Sequence, residues 1–112
     1  HPVCCAAGLA ATKYLLDNNI VAQVESKGRL YEQLLEGHPE VVEIRRSGLL
    51  LAVEPGCSEK LFRMMDMFIE RGILSDWLLY CDTAFRISPP LTISEQEIRQ
   101  SAELIIECLN SL

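Results

Sequence analysis

The segment Ala84-Phe85-Arg86-Ile87-Ser88-Pro89-Pro90-Leu91, followed by Ser94 and Glu97, contains the clearest change of pattern in the sequence. Its first four residues form a largely apolar stretch that is typical of a strand and is interrupted by one arginine. Two prolines then end the strand, because proline has no backbone N–H to donate to a ladder. A serine followed three residues later by glutamate is a capping box, which predicts the start of a helix. The segment therefore predicts strand, break and helix in that order.

The residues before this segment predict three further helices and the remaining strands. The helices are expected at residues 2–17, from Asn19 to Gly37, and from Ser58 to Arg71, with Asn19 and Ser58 as caps. Residues 41–54 are rich in strand formers, and Gly48 is expected to mark a bulge or a close backbone approach between two short extended pieces. Two short strands are expected at residues 77–80 and 84–87, joined by a turn at Asp82 and Thr83.

This order of elements predicts an α+β fold. We expect a small three-stranded, mainly antiparallel sheet with helices packed on one face, because these helices cannot cover both faces of so small a sheet. Residues 1–112 contain no repeat and no linker, so they are interpreted as a single domain.

The composition disfavours several classes of function. The formal net charge is −6, and the basic residues are not clustered as phosphate binding requires, so no nucleic-acid partner is expected. No apolar run approaches the roughly 20 residues of a membrane span. The five cysteines are unevenly spaced and the two histidines lie far from any cysteine pair, so we expect neither a disulfide framework nor a metal site. A cytoplasmic location follows as an expectation.

Arg86 is the candidate binding residue, because an arginine inside an apolar strand needs an explanation. If the side chain is partly buried, it requires an anionic partner, and its planar fork suits a carboxylate. Alternatively, alternation along the strand places it on a solvent-facing side of the sheet, where an arginine is ordinary. The strand pattern alone leaves both interpretations open.

Four segments together resemble class III aminotransferases, the ornithine, acetylornithine and putrescine type of pyridoxal-phosphate-dependent enzyme. Arg86-Ile87-Ser88-Pro89-Pro90-Leu91 resembles the Arg-x-x-Pro-Pro-Leu motif of this family, and Ile44 to Glu54 resembles its Arg-Gly-x-Gly-Leu-Met strand. His1-Pro2-Val3-Cys4-Cys5-Ala6-Ala7 resembles its Asn-Pro-Leu-x-x-Ala-Ala segment, and Glu70-Arg71-Gly72-Ile73-Leu74 its Glu-x-Gly-Val-Leu step. The resemblance covers nearly the whole chain in the same order.

The resemblance implies a role for Arg86 and a position for the chain. In this family the arginine of the motif binds the α-carboxylate of the substrate, and that role falls on Arg86. The chain would be the C-terminal small domain of a longer enzyme. Two residues depart from the pattern: Arg46 stands where glycine is usual, which puts the local backbone shape in doubt, and His1 stands where asparagine is commoner.

The resemblance also implies that the catalytic lysine lies outside this chain. Lys13, Lys27 and Lys60 all fall on polar faces of predicted helices, whereas the family's Schiff-base lysine precedes the segment matched by His1. No catalytic residue is therefore expected here. Pyridoxal phosphate is expected in the full-length parent and not in the isolated chain, which should be inactive.

The expected parent moves an amino group between an amino acid or amine and a 2-oxo acid. Its partners would be these substrates, the large domain of the same enzyme and a second copy in a homodimer. Two alternatives remain open. In the first, the chain is a domain of a related pyridoxal-phosphate enzyme such as an aminomutase. In the second, it is a non-catalytic ligand-binding or dimerisation module.

Overall fold

The computed structural model describes all 112 residues, which form four helices, four strands and the segments that connect them. In chain order the elements are α1 (Pro2–Asp17), α2 (Ile20–Leu35), β1 (Glu43–Ser47), β2 (Leu50–Glu54), α3 (Ser58–Glu70), β3 (Asp76–Leu78), β4 (Cys81–Ile87) and α4 (Glu95–Leu109). None of the helices combines the length and apolar content that crossing a membrane requires.

The strands form one antiparallel sheet in the order β1-β2-β4-β3. This confirms the predicted α+β class, but the predicted number of three strands was wrong. The two extended pieces expected on either side of Gly48 are separate strands of a hairpin, in which Ser47 pairs with Leu50 across a two-residue turn. The close backbone approach expected at Gly48 is confirmed, because its carbonyl lies against Gly28 of α2. Gly48 has φ 58°, a left-handed value that glycine adopts without the steric cost of a Cβ, so the chain reverses there instead of bulging.

The second hairpin also lies elsewhere than predicted. Asp82 and Thr83, expected to form a turn, are part of β4, and the turn is formed by Leu79 and Tyr80. Leu78 pairs with Cys81 across this turn, after a register shift between Trp77 and Leu78. The sequence was misleading because Tyr80, a typical strand residue, lies in this turn, while Asp82, a typical turn residue, lies in the strand.

Two of the three predicted N-cap residues stand at the N-cap position, and one of these two makes a side-chain cap bond. In α4 the Ser94 hydroxyl accepts a hydrogen bond from the Glu97 backbone N–H, and the Glu97 side chain accepts one from the Ser94 backbone N–H, as a capping box requires. Asn19 is the N-cap residue of α2, as predicted, but it has a left-handed conformation and makes no side-chain cap bond. The predicted cap at Ser58 was wrong, because α3 begins after Cys57 and Ser58 is already helical.

One face of the sheet carries the core. Phe85 of β4 is fully buried and meets Phe68 of α3 edge to face, with ring centroids 5.2 Å apart. Alternate strand residues and the inner faces of α2, α3 and α4 complete this cluster, which includes Tyr31, Leu35, Leu51, Val53, Leu61, Met64, Ile87, Ile98, Ala102, Ile105, Cys108 and Leu109. The predicted packing of helices on one face is therefore confirmed for α2, α3 and α4. Helix α1 buries none of its residues.

Candidate functional site

Arg86 lies on the face of the sheet opposite the core. It pairs with Ala52 of β2 on one side and with Asp76 of β3 on the other. Residues directly opposite each other in a sheet project to the same face, while neighbours along a strand project to opposite faces. The buried side chains of Phe85 and Ile87 therefore point to the helices, and Arg86 points to the open face.

The guanidinium of Arg86 has one weak partner. Its Nη2 lies 3.6 Å from Oδ2 of Asp76, which is within ion-pair range but beyond hydrogen-bond range. Both side chains are exposed, at 44% and 55%. An exposed pair of this kind contributes about 0–1 kcal/mol. The guanidinium donates no hydrogen bond to any group of the chain, so its donors remain available.

The other two strand arginines are already bound to carboxylates. Arg45 donates to Glu54 at 3.0 Å and also contacts Glu43. Arg46 donates to both carboxylate oxygens of Glu25, at 3.0 and 2.9 Å, and its Nε donates to Glu32 at 2.9 Å. These contacts raise the pKa of each guanidinium above its usual value, chiefly through the hydrogen bond to Glu54 for Arg45 and to Glu25 for Arg46. Arg86 is therefore the strand arginine with unused donors.

The backbone at Arg46 is regular, although arginine stands where the resemblance leads one to expect glycine. It pairs with Leu51 in regular antiparallel register and has no positive φ, so β1 needs no glycine there. Its side chain instead connects β1 to α2, and this contact lowers the pKa of Glu25 through the hydrogen bond from Arg46. His1 is the N-cap residue of α1, is exposed, and makes no side-chain cap bond.

Arg86 is one of the residues that line a cleft of about 650 Å³ at the end of β4. The cleft runs between the segment 73–76, which leads into β3, and the segment 88–93, which leads into α4. Its volume falls in the range of small-molecule sites. Ser75 Oγ donates to the carbonyl of Arg86 at 2.6 Å, and Lys27 Nζ donates to the carbonyl of Leu91 at 3.1 Å. These bonds fix both segments beside Arg86.

The inner wall of the cleft carries polar groups that are already satisfied. Tyr31 of α2 and Ser101 of α4 share a hydrogen bond of 2.5 Å between their hydroxyls. Burial raises the pKa of Tyr31 above its usual value, so the phenol stays protonated at neutral pH. Glu97 accepts from the backbone N–H and the hydroxyl of Ser94, which lowers its pKa. Neither the hydroxyl pair of Tyr31 and Ser101 nor Glu97 is therefore an acid or base without a hydrogen-bond partner.

The lysines of the chain do not fit a covalent cofactor site. Lys27 is bound to the Leu91 carbonyl, Lys60 is paired with Glu40, and Lys13 is an exposed residue of α1. None of the three lines the cleft beside Arg86. A Schiff base needs a lysine amine held at the cofactor aldehyde beside the substrate, so no catalytic step can be derived from these residues. No three histidine, cysteine, aspartate or glutamate side chains gather as a metal site would require.

Sequence reasoning missed Asp76, which is the only charged neighbour of the Arg86 guanidinium. The predicted strand began at residue 77, and the predicted turn gave a different register. Nothing in the local sequence singles out this aspartate. Its position opposite Arg86 follows only from the observed pairing of β3 with β4.

Comparison with known proteins identifies the family. The model of the family described as aminotransferase class-III matches residues 1–109, and the chain therefore belongs to this family. Similar solved structures include an aminotransferase from Bacillus anthracis, at 19% identity and TM-score 0.85, covering 100% of this chain and 29% of that one.

Two further structures carry more specific names. The acetylornithine aminotransferase from Elizabethkingia anophelis is 24% identical with TM-score 0.81, over 99% of this chain and 29% of that one. The ornithine aminotransferase from Toxoplasma gondii is 30% identical with TM-score 0.81, over 98% of this chain and 27% of that one. The chain thus spans less than a third of the length of each of these structures.

Proposed function

We propose that this chain is the C-terminal small domain of a pyridoxal-phosphate-dependent aminotransferase. The enzyme would move an amino group between an amino acid or amine and a 2-oxo acid. Family membership supports the reaction class, and the coverage of less than a third of each similar structure supports the assignment to one domain. The T. gondii enzyme holds pyridoxal phosphate at its active site at partial occupancy, which supports this cofactor in the whole enzyme.

Within that enzyme, Arg86 is proposed to bind the carboxylate of the substrate. The observation that carries this role is the contrast among the strand arginines: Arg45 and Arg46 donate to carboxylates of the chain, and Arg86 donates to none. Its fork can form two parallel hydrogen bonds to a carboxylate, which fixes both the position and the orientation of the bound group. The role of Arg86 is therefore to bind and orient the substrate.

The cofactor supplies the electron sink for the amino-group chemistry, and the remainder of the enzyme would hold it. This chain contributes one wall of the site. The hydrogen bonds from Ser75 and Lys27 hold the two segments that flank Arg86, so the guanidinium projects from a fixed strand end. A rigid anchor of this kind costs less entropy on binding than one on a mobile loop.

The partners are proposed from the surface of the chain. Helix α1 exposes Val3, Leu9 and Leu16 at 68%, 57% and 71%, and buries nothing. Large apolar side chains in such numbers mark a contact surface, here assigned to the large domain of the same enzyme. A homodimer in the cytoplasm is proposed for the whole enzyme.

The proposed function is tested with the purified enzyme that carries this chain. Amino donors are supplied with a 2-oxo acid, and the new amino acid is measured by mass spectrometry with a nitrogen-15 label in the donor. The proposal expects the label in the product made from the 2-oxo acid. Isomerisation of a single labelled substrate, without transfer to the 2-oxo acid, would instead identify an aminomutase.

A further inference from the structure

Asp76 and Arg86 form a cross-strand pair whose position is fixed by the backbone. They are direct partners in the β3–β4 register, so their side chains share the open face of the sheet. The adjacent residue Ser75 holds the two chain segments together through its bond of 2.6 Å to the Arg86 carbonyl. The register shift of this hairpin lies between Trp77 and Leu78, beyond the pair. Asp76 is therefore held beside the guanidinium on the open face of the sheet.

Asp76 carries the only carboxylate in the cleft without another partner. The other acidic residue of the lining, Glu97, accepts two hydrogen bonds from Ser94. Asp76 accepts no hydrogen bond, and its Oδ2 lies 3.6 Å from Nη2 of Arg86. The pair is close enough for attraction between the charges and too long for a hydrogen bond. A bound carboxylate would thus meet a guanidinium that Asp76 attracts without occupying its donors.

We propose that Asp76 is a specificity-determining residue that acts through Arg86 and lowers its affinity for carboxylates. This inference rests on the proposed role of Arg86 in binding the substrate. A carboxylate held by the fork must displace the attraction of Asp76 and then lies near a second negative charge. A donor without a carboxylate leaves the pair intact, and Arg86 keeps a partner within the chain. The pair therefore biases the site toward donors that lack a carboxylate, relative to an otherwise equal site without Asp76.

The expected size of the effect follows from the exposure of the pair. Exposed ion pairs change equilibria by at most about 5-fold, because water screens the two charges. Removing the charge of Asp76 should therefore strengthen the binding of a carboxylate to Arg86 by about 2- to 5-fold.

The experiment measures competitive inhibition of the enzyme that carries this chain by two probes of the same shape. Propanoate carries the carboxylate, and propanamide is its uncharged counterpart. Wild type is compared with Asp76→Asn, with Asp76→Glu as the conservative rescue. Asp82→Asn serves as the matched control, since Asp82 is an exposed aspartate of β4 that pairs with no arginine.

Asp76→Asn is expected to lower the inhibition constant of propanoate by about 2- to 5-fold and to leave that of propanamide unchanged. Asp76→Glu should return the constant for propanoate toward wild type, and Asp82→Asn should not change it. An equal change for both probes, or an equal effect of Asp82→Asn, would overturn the inference while leaving the proposed function intact. Absence of amino transfer in the wild-type enzyme would remove the proposed function and this inference with it.

Discussion

Gly28 of α2 and Gly48 of the β1–β2 turn approach each other so closely that a Cβ on Gly28 would stand 1.9 Å from the carbonyl oxygen of Gly48. The contact could not be relieved by rotating a side chain, because the atom that a Cβ on Gly28 would meet belongs to the backbone of Gly48. The absence of a side chain at position 28 therefore lets α2 lie directly on the hairpin. This contact sets the distance between the helix layer and the sheet edge on which β1 lies.

The first prediction concerns this contact. Gly28→Ala should lower the free energy of unfolding by about 1–3 kcal/mol or more, because the helix must move away from the turn. Gly8→Ala is the matched control, since nothing lies within 4 Å of a Cβ there, and alanine should stabilise α1 slightly. Urea unfolding of the three proteins measures the difference. Equal stability of Gly28→Ala and wild type would show that the two backbones are not in contact.

The second prediction concerns acid sensitivity. The hydrogen bond from Arg46 holds the pKa of Glu25 below its ordinary value of 4.5 in the folded chain. The folded state then binds fewer protons at this site than the unfolded state, so stability from this contact is present above about pH 4.5 and is lost as the pH falls below it. Arg46→Met should therefore unfold at lower urea than wild type at pH 7, and this gap should narrow as the pH falls below 4.5.

Arg29→Met is the control for that series. Arg29 also faces Glu25, but at 3.5 Å and with a side chain that is 66% exposed, whereas that of Arg46 is 13% exposed. Its substitution should produce a smaller gap at pH 7. A gap for Arg46→Met that stays constant across this pH range would contradict the assigned cause.

The third prediction concerns the start of α4. Ser94→Ala removes the side-chain acceptor for the Glu97 N–H and should lower the free energy of unfolding by about 1 kcal/mol. Ser26→Ala removes a hydroxyl from the interior of α2, where it bonds only to the carbonyl of Gln23, and should change stability by less. Thermal unfolding followed by circular dichroism measures both. A larger loss for Ser26→Ala would contradict the capping role.

Part of this fold follows from local sequence alone. The start of helix α4 was predicted from the capping box of Ser94 and Glu97, because this motif needs no information from distant residues. Ile98, Ala102 and Ile105, which follow the helical period, form the buried face of the helix. Ile69 of α3 is an apolar residue beside the buried Phe68, yet it is 69% exposed, and the helical period alone does not show which apolar residues the sheet covers.

The pairing at the candidate site could not be predicted, since it depends on where the hairpin turns. A two-residue turn at Asp82 and Thr83 would have placed Leu79 opposite Arg86. The observed turn at Leu79 and Tyr80, together with the register shift between Trp77 and Leu78, places Asp76 there. Register is set by the turn and by the burial of one face, and a small shift exchanges every partner. The sequence identified Arg86 as a candidate and left two positions open for its side chain. The structure places it on the open face and identifies Asp76 as its neighbour.

The fourth prediction concerns the cofactor. The isolated chain mixed with pyridoxal phosphate and reduced with borohydride should show no stoichiometric attachment by intact-mass measurement, because Lys27 and Lys60 are engaged and Lys13 lies on an exposed helix. Low, scattered labelling of several lysines is compatible with this expectation. Complete labelling of one lysine, abolished by its substitution alone, would contradict it.

The most direct measurement of the central claim is the Michaelis constant for an α-amino acid donor in the enzyme that carries Arg86→Gln. Loss of charge-assisted hydrogen bonds to a carboxylate should raise this constant by about 10- to 100-fold. The Michaelis constant of Arg86→Lys should fall between those of wild type and Arg86→Gln, because lysine keeps the positive charge but lacks the planar fork of the guanidinium. Arg99→Gln, at an exposed position of α4, should leave the constant unchanged. A wild-type Michaelis constant in Arg86→Gln would contradict the assignment of Arg86 as the carboxylate-binding residue.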